Sequence, residues 1–77
     1  MSEYLSKFKK IISEHTGMDK EEILDNSYFE DDLNIGEMEL IEMLAELEEI
    51  YQVELAESVD NFETVQDVID SIMEQIE

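Results

Sequence analysis

The chain has 77 residues, in which 23 acidic side chains face four lysines and no arginine, giving a formal net charge of −19. So few cations exclude the phosphate contacts that nucleic acids require, and they disfavour binding to an anionic membrane surface. No apolar run approaches the roughly 18 residues of a transmembrane helix, and the lack of cysteine excludes disulfides and thiolate chemistry. We therefore expect one small cytoplasmic domain, residues 1–77, with neither a nucleic-acid nor a membrane partner.

The charge is distributed unevenly along the chain. Residues 1–20 contain all four lysines and three acids, whereas residues 21–77 contain 20 acids and no base. A surface of one sign keeps a protein soluble, and it also attracts basic partners over long distances. Both interpretations of the acidic segment stay open from the charge alone.

Helical periodicity dominates the first third of the sequence, where apolar residues recur three or four positions apart. The first helix is predicted over residues 3–15, and Gly17 suits the left-handed position that ends a helix. A short turn is predicted over residues 20–25, opened by a capping pair of Asp19 and Glu22.

The rest of the chain predicts a loop and three further helical segments. Residues 26–36 are predicted to form the loop, and parts of it are expected to tuck into the core. A long helix over residues 37–51 and a short one near 57–61 follow, and a capping pair of Thr64 and Asp67 opens the last helix. The predicted fold is all-α: a small four-helix bundle with three longer helices and one short one. Its predicted core comprises Phe8, Ile12, Phe29, Leu33, Leu44, Leu47, Tyr51, Phe62, Val68 and Ile72.

The second long helix has two apolar faces when its residues are placed about 100° apart. One face is a core stripe that runs from Leu40 to Tyr51 and includes Ile50. The opposite side is a thin apolar strip edged with carboxylates: Met38, Ile41 and Ala45 with Glu42, Glu48 and Glu49. Isolated apolar residues are common on protein surfaces. The strip is therefore either chance exposure or an interface whose glutamates meet Lys or Arg of a partner.

Signatures of catalysis and of specific metal binding are nearly absent. His15 is the single histidine, so no histidine-based metal site or Ser-His-Asp triad can form, and we expect it to be solvated at the end of the first helix. An EF-hand loop starting at Asp31 fails because Leu33 and Ile35 occupy ligand positions. The sequence predicts neither an enzyme nor a specific metal site.

Segment Phe29–Leu55 resembles the acyl carrier protein family. That family has Phe-x-(Asp/Glu)-Asp-Leu-Gly-x-Asp-Ser-Leu, then an acidic helix ending in Leu-Glu-x-x-Phe, and an isoleucine a few residues on. The matching positions here are Phe29, Asp31, Asp32 and Leu33 in the loop, then Glu42, Leu47, Glu48, Glu49, Tyr51 and Leu55. Segment Phe62–Ile72 resembles the last helix of the family, which typically opens with Thr-Val.

The resemblance implies a four-helix bundle, a second helix that docks on partner enzymes, and a phosphopantetheine arm on the serine of Asp-Ser-Leu. In this chain that motif reads Gly36-Glu37-Met38. Glu37 holds the attachment position, and its carboxylate cannot replace the hydroxyl that attacks coenzyme A. We therefore predict that the chain has no phosphopantetheine and no other cofactor.

The leading hypothesis is a monomeric, acyl-carrier-like binding module without a prosthetic arm, which docks on a basic patch of an acyl-metabolism enzyme through its acidic second helix. The predicted partner-binding residues are Glu37, Met38, Glu39, Ile41, Glu42, Ala45, Glu48 and Glu49. One alternative is an acyl carrier protein active in fatty-acid biosynthesis or specialised acyl metabolism with atypical loading. A second alternative is an acidic protein that binds divalent cations.

Overall fold

The computed structural model describes residues 3–77 of the chain. Its three long helices are α1 (Glu3–Thr16), α2 (Glu37–Tyr51) and α3 (Val65–Ile76). Two 3₁₀ helices, Lys20–Glu22 and Ala56–Asn61, lie between them, and residues 3–77 contain no strand beyond one isolated bridge. The prediction of a small all-α bundle with three longer helices and one short one is confirmed: Ala56–Asn61 is the short helix, and Lys20–Glu22 is a single turn.

Helix α1 forms because Phe8, Ile11 and Ile12 lie on one face and become buried. It ends as predicted at Gly17, whose φ of 80° is left-handed and whose N–H donates to the carbonyl of Ser13 at 2.8 Å. A side chain in that conformation costs about 1–2 kcal/mol, which explains glycine at this position.

The turn after α1 differs from the prediction. The 3₁₀ helix covers only Lys20–Glu22, and the side chain of Asp19 makes no capping hydrogen bond. The prediction that Asp19 and Glu22 form a capping pair is therefore wrong. A single 3₁₀ turn satisfies its own main-chain groups, with the N–H of Glu22 donating to the carbonyl of Asp19 at 2.9 Å.

The long loop before α2 folds into the core, as predicted. Phe29, Leu33 and Ile35 are buried. The loop is tied to the start of α3 by main-chain hydrogen bonds, since Phe29 N–H donates to the carbonyl of Glu63 at 2.9 Å. These bonds fix the path of a segment that has no regular structure of its own.

Helix α2 has the predicted bounds, but three predicted core positions need correction. Ile50 is 47% exposed, because it lies at the edge of the core stripe when residues are spaced about 100° apart. Tyr51 and Phe62 are only half-buried and pack against the outside of the core. Tyr51 occupies the last turn of α2, where its ring meets Tyr4 edge-on at 5.1 Å. The other eight predicted core residues are buried.

Helix α3 opens with the predicted capping box. The hydroxyl of Thr64 accepts from Asp67 N–H at 3.3 Å, and the Asp67 carboxylate accepts from Thr64 N–H at 3.1 Å. Val65, Val68 and Ile72 of this helix are fully buried. Within residues 3–77, no helix combines the length and apolar character needed to cross a membrane.

Candidate functional site

The predicted partner-binding residues of α2 divide into an exposed set and a half-buried set. Met38 is 81% exposed, the highest value among the large apolar side chains of the described residues that are exposed. We call the exposed set the outer face: Glu37, Met38, Glu42, Ala45 and Glu49. The half-buried set consists of Glu39, Ile41 and Glu48. The apolar strip with carboxylate edges therefore narrows to Met38 and Ala45, with Ile41 partly covered.

Glu48 accepts hydrogen bonds from part-buried main-chain groups of the segment after α2. Its Oε2 accepts hydrogen bonds from the N–H groups of Leu55 at 2.7 Å and Ala56 at 2.9 Å. Those two N–H groups lie at the start of the Ala56–Asn61 3₁₀ helix, where the N-cap residue Leu55 forms no side-chain hydrogen bond. The Glu48 carboxylate therefore caps this helix from a distant position. The sequence pattern placed Glu48 with the outward acids and did not reveal this role, because the partners are seven and eight residues away.

His15 is the other residue whose role the sequence missed. Its Nε2 lies 2.6 Å from Oε2 of Glu46, so it joins the end of α1 to α2. Its expected place at the end of α1 is confirmed, but its side chain is only partly exposed and has a carboxylate partner, because α2 passes close to the last turn of α1. No local pattern signals this contact, which joins residues 31 positions apart.

The start of α2 is polar, acidic and without a side-chain cap. Gly36 occupies the N-cap and provides no side-chain hydrogen bond, and Glu37 and Glu39 lie in the first turn. An acid in the first turn interacts favourably with the helix dipole, by about 0.3–1 kcal/mol. Glu37, which stands at the attachment position implied by the resemblance, is exposed and has no hydroxyl.

The serines of the described residues all lie away from this helix start. They are found in α1, in the loop, in the longer 3₁₀ helix and in α3: Ser6, Ser13, Ser27, Ser58 and Ser71. Ser27 in the loop is buried, and its hydroxyl accepts from the N–H of Leu24 at 3.0 Å. The residues at the start of α2 therefore do not fit the attachment of a phosphopantetheine arm.

A groove of about 410 Å³ lies beside the start of α2. Its apolar floor is buried or half-buried and consists of Phe29, Ile35, Leu40, Val59 and Phe62. Its exposed lining residues are five acids together with Tyr28 and Gly36, the acids being Glu30, Asp31, Glu37, Asp60 and Glu63. We call this feature the acidic groove. Within residues 3–77, every charged residue that lines it is acidic.

The walls of the acidic groove are held by main-chain hydrogen bonds. On one side, Ile35 N–H donates to the carbonyl of Phe29 at 2.7 Å, and Phe29 N–H donates to the main-chain carbonyl of Glu63 at 2.9 Å. On the other side, Phe62 N–H donates to the carbonyl of Val59 at 3.1 Å. The sequence did not predict the groove, because its lining comes from the loop, α2 and the segment before α3.

A second groove of about 550 Å³ lies between the start of α1 and helix α3. Tyr4 lies in it and donates from its hydroxyl to Oε2 of Glu77 at 3.1 Å. Partial desolvation and then this hydrogen bond raise the pKa of Tyr4 above its usual 10.0. Burial and then the nearby Glu3 carboxylate raise the pKa of Tyr51 in the same direction.

Carboxylates are abundant, but they do not converge on a metal-binding geometry in the part of the chain that the structure describes. Within residues 3–77, no group of three or more His, Asp or Glu side chains is placed to hold a metal ion. The acids on the outer face and around the acidic groove are arranged along a surface, which suits attraction of a cationic surface better than enclosure of one ion.

Two relatives cover nearly the whole chain. The chain is 35% identical over 75 residues to an acyl carrier protein of Zymomonas mobilis, with 96% of each chain covered. It is 34% identical over 76 residues to an acyl carrier protein of Thermosynechococcus vestitus, covering 97% of this chain and 94% of the relative. No protein-family model matches the chain. Acyl carrier proteins are carriers and not catalysts, so the prediction that the chain is not an enzyme is confirmed. Together with the helical bundle, these similarities show that the chain belongs to the acyl carrier protein family.

Proposed function

We propose that this chain is a monomeric, single-domain cytoplasmic module that docks on a basic patch of an acyl-metabolism enzyme through the outer face of α2, without a phosphopantetheine arm. The observation that supports docking is the composition of that face. Glu37, Glu42 and Glu49 are exposed beside Met38 and Ala45. Helix α2 contains six acids and no base.

Such a face suits a partner with Lys or Arg around a shallow apolar centre. The carboxylates give long-range attraction and orientation, which raises the association rate. Met38 and Ala45 supply apolar contact area, and methionine adapts its shape to irregular surfaces. Because the acids are exposed, each ion pair across the interface contributes modestly, about 0.2–1 kcal/mol.

The armless state is supported by Glu37. A phosphopantetheine arm needs a hydroxyl at the start of α2, and this helix contains neither serine nor threonine. Glu37 places a negative charge at the position where an arm would contribute a phosphodiester. We infer that the charge of Glu37 takes over part of the electrostatic role of that phosphodiester in partner recognition.

One enzyme tests both loading and docking. The protein is incubated with coenzyme A and a phosphopantetheinyl transferase of broad specificity, and its intact mass is recorded. We expect no change in mass, whereas Glu37→Ser supplies the hydroxyl and is the positive control. A mass increase of one arm in the unaltered chain would overturn the armless proposal and favour atypical loading.

Docking is tested by measuring the affinity of the protein for the same transferase by calorimetry. We expect the double change Glu42→Gln with Glu49→Gln to weaken binding about threefold to tenfold, from the loss of two exposed charge pairs. The matched control removes two exposed acids of α3, Asp70→Asn with Glu74→Gln, and should change binding by less than about twofold. Equal losses in both variants would show that net charge, and not the outer face, determines binding.

The contribution of Glu37 is tested separately in the same assay. We expect Glu37→Gln to weaken binding about twofold to fivefold, because one exposed charge is removed from the face. Unchanged affinity in both Glu37→Gln and Glu37→Ser would contradict a role for its charge.

A further inference from the structure

We propose, building on the function proposed above, that the acidic groove receives an apolar side chain of the partner protein that is flanked by Lys or Arg residues. The outer face then attracts the partner, and the groove holds the anchor that fixes its position. Interfaces commonly depend on a few such anchors in pockets, surrounded by contacts of lower energy.

The composition of the groove matches this occupant in two ways. Its floor, which includes Leu40, Val59 and Phe62, offers apolar surface to an apolar side chain. Five exposed carboxylates surround the floor, and no Lys or His among residues 3–77 lines the groove to neutralise them. An apolar group alone would leave these acids facing a less polar environment, whereas flanking cations compensate them.

Size and rigidity also favour an anchor pocket. A volume of about 410 Å³ gives room for an apolar side chain. The hydrogen bonds from Phe29 to Glu63 and from Ile35 to Phe29 hold the loop wall in place. A pocket that is formed before binding avoids the entropic cost of ordering its walls.

The groove is continuous with the outer face. Glu37 belongs to both surfaces, and Gly36 lies between the loop and α2 on the groove wall. A partner segment that lies along the carboxylates of α2 therefore reaches the groove at the start of the helix. An anionic chain end, by contrast, would meet five like charges at the opening, which disfavours it.

Three capped peptides of equal length test the proposal. The first has leucine between two pairs of lysines, the second has alanine in place of leucine, and the third has glutamates in place of the lysines. Binding is followed through the amide signals of the isotopically labelled protein. We expect the leucine peptide to shift the signals of Val59 and Phe62 saturably, and to bind about fivefold tighter than the alanine peptide. The glutamate peptide should not bind.

Two variants alter the apolar lining and keep the charges. Gly36→Leu adds an apolar side chain at a position that lines the groove, which we expect to obstruct it. The substitution is tolerated because a Cβ at residue 36 meets no atom within 4 Å and a backbone φ of −82° accepts any residue. Val59→Thr keeps the shape of the floor but makes it polar, and it serves if Gly36→Leu disturbs the helix start. In each variant we expect the preference for leucine over alanine to fall to less than about twofold.

The controls separate this proposal from the docking function. The double change Glu42→Gln with Glu49→Gln should weaken both lysine peptides alike and preserve the preference for leucine. Equal binding of the leucine and alanine peptides, or shifts confined to α2 and α3, would overturn the anchor pocket while leaving docking through α2 intact. Transferase binding that the double change leaves unaltered would instead overturn the docking function, because the peptide preference reports only on the groove.

Discussion

The starts of α2 and α3 use acids in opposite ways. At α3, Thr64 and Asp67 bond to each other's main-chain N–H groups, and Asp67 also accepts from Glu63 N–H at 2.9 Å. At α2, Gly36 offers no side-chain cap and Glu37 is exposed. The first arrangement stabilises the fold, whereas the second leaves charge and polar main-chain groups at the surface beside the acidic groove.

The same contrast occurs within α2 itself. Glu48 bonds to Leu55 and Ala56 inside the fold, whereas its neighbour Glu49 is exposed. A chain with 23 acids therefore uses only some of them for stability. The acids without internal partners on the outer face increase repulsion within the molecule, and contact with the cationic partner proposed above would relieve it. The following predictions test this division, from the largest expected effect to the smallest.

Replacing Glu48 should have the largest effect on stability. Glu48→Ala leaves two half-buried N–H groups without their charged acceptor, and hydrogen bonds to charged groups contribute about 1.5–3 kcal/mol. We expect the free energy of unfolding, measured in urea, to fall by about 2 kcal/mol. Glu49→Ala is the control and should change it by less than about 0.5 kcal/mol. Equal losses would show that the two acids do not differ in the way described above.

Replacing Thr64 should have the next largest effect. Thr64→Ala removes the hydroxyl that accepts from Asp67 N–H, and the loss of an N-cap typically costs about 1 kcal/mol. We expect urea unfolding to show that decrease in the free energy of unfolding. Thr64→Ser retains a capping hydroxyl and should lose less than half as much. A Thr64→Ala variant as stable as the unaltered chain would contradict the stabilising role of the capping box.

Stability should also decrease in alkaline solution because Tyr51, in the last turn of α2, ionises there. The pKa of Tyr51 is raised in the folded state, mainly by burial, above its usual 10.0. The stability linked to this tyrosine is therefore fully present below about pH 10 and is lost as the pH rises through the folded-state pKa. We expect the free energy of unfolding to fall between pH 9 and pH 12, and to fall less in Tyr51→Phe. At pH 7 this variant should be nearly neutral, since the Tyr51 hydroxyl is buried without a hydrogen-bond partner among residues 3–77. An identical alkaline decrease in both proteins would contradict the assignment.

The smallest effect is expected from adding a cap to α2. Gly36→Ser introduces the type of side chain that caps α3, and glycine and serine at N-caps differ by only a few tenths of a kcal/mol. We expect a small gain in the free energy of unfolding. Gly17→Ser is the matched control and should lose about 1 kcal/mol, because Gly17 has a φ of 80°. A loss of stability in Gly36→Ser would show that the helix start does not accept a cap.

Much of the fold was predictable because its signals are local. The bounds of α2, the end of α1 at Gly17 and the capping box of Thr64 and Asp67 depend on residues within one or two turns of each other. The capping pair of Asp19 and Glu22 failed even though its spacing was correct. A three-residue 3₁₀ turn satisfies its own main-chain groups and does not need the side chain.

The sequence by itself determined the helical class, the order of the helices, the strong negative charge and the lack of a hydroxyl at the start of α2. Only the tertiary structure decided which acids have internal partners, as with Glu48, and which remain exposed. It also decided the contact of His15 with Glu46 and the existence of the acidic groove. The physical reason is the range of the interactions. Helix periodicity and caps depend on neighbours in the chain, whereas pockets and ion pairs depend on which distant segments pack together.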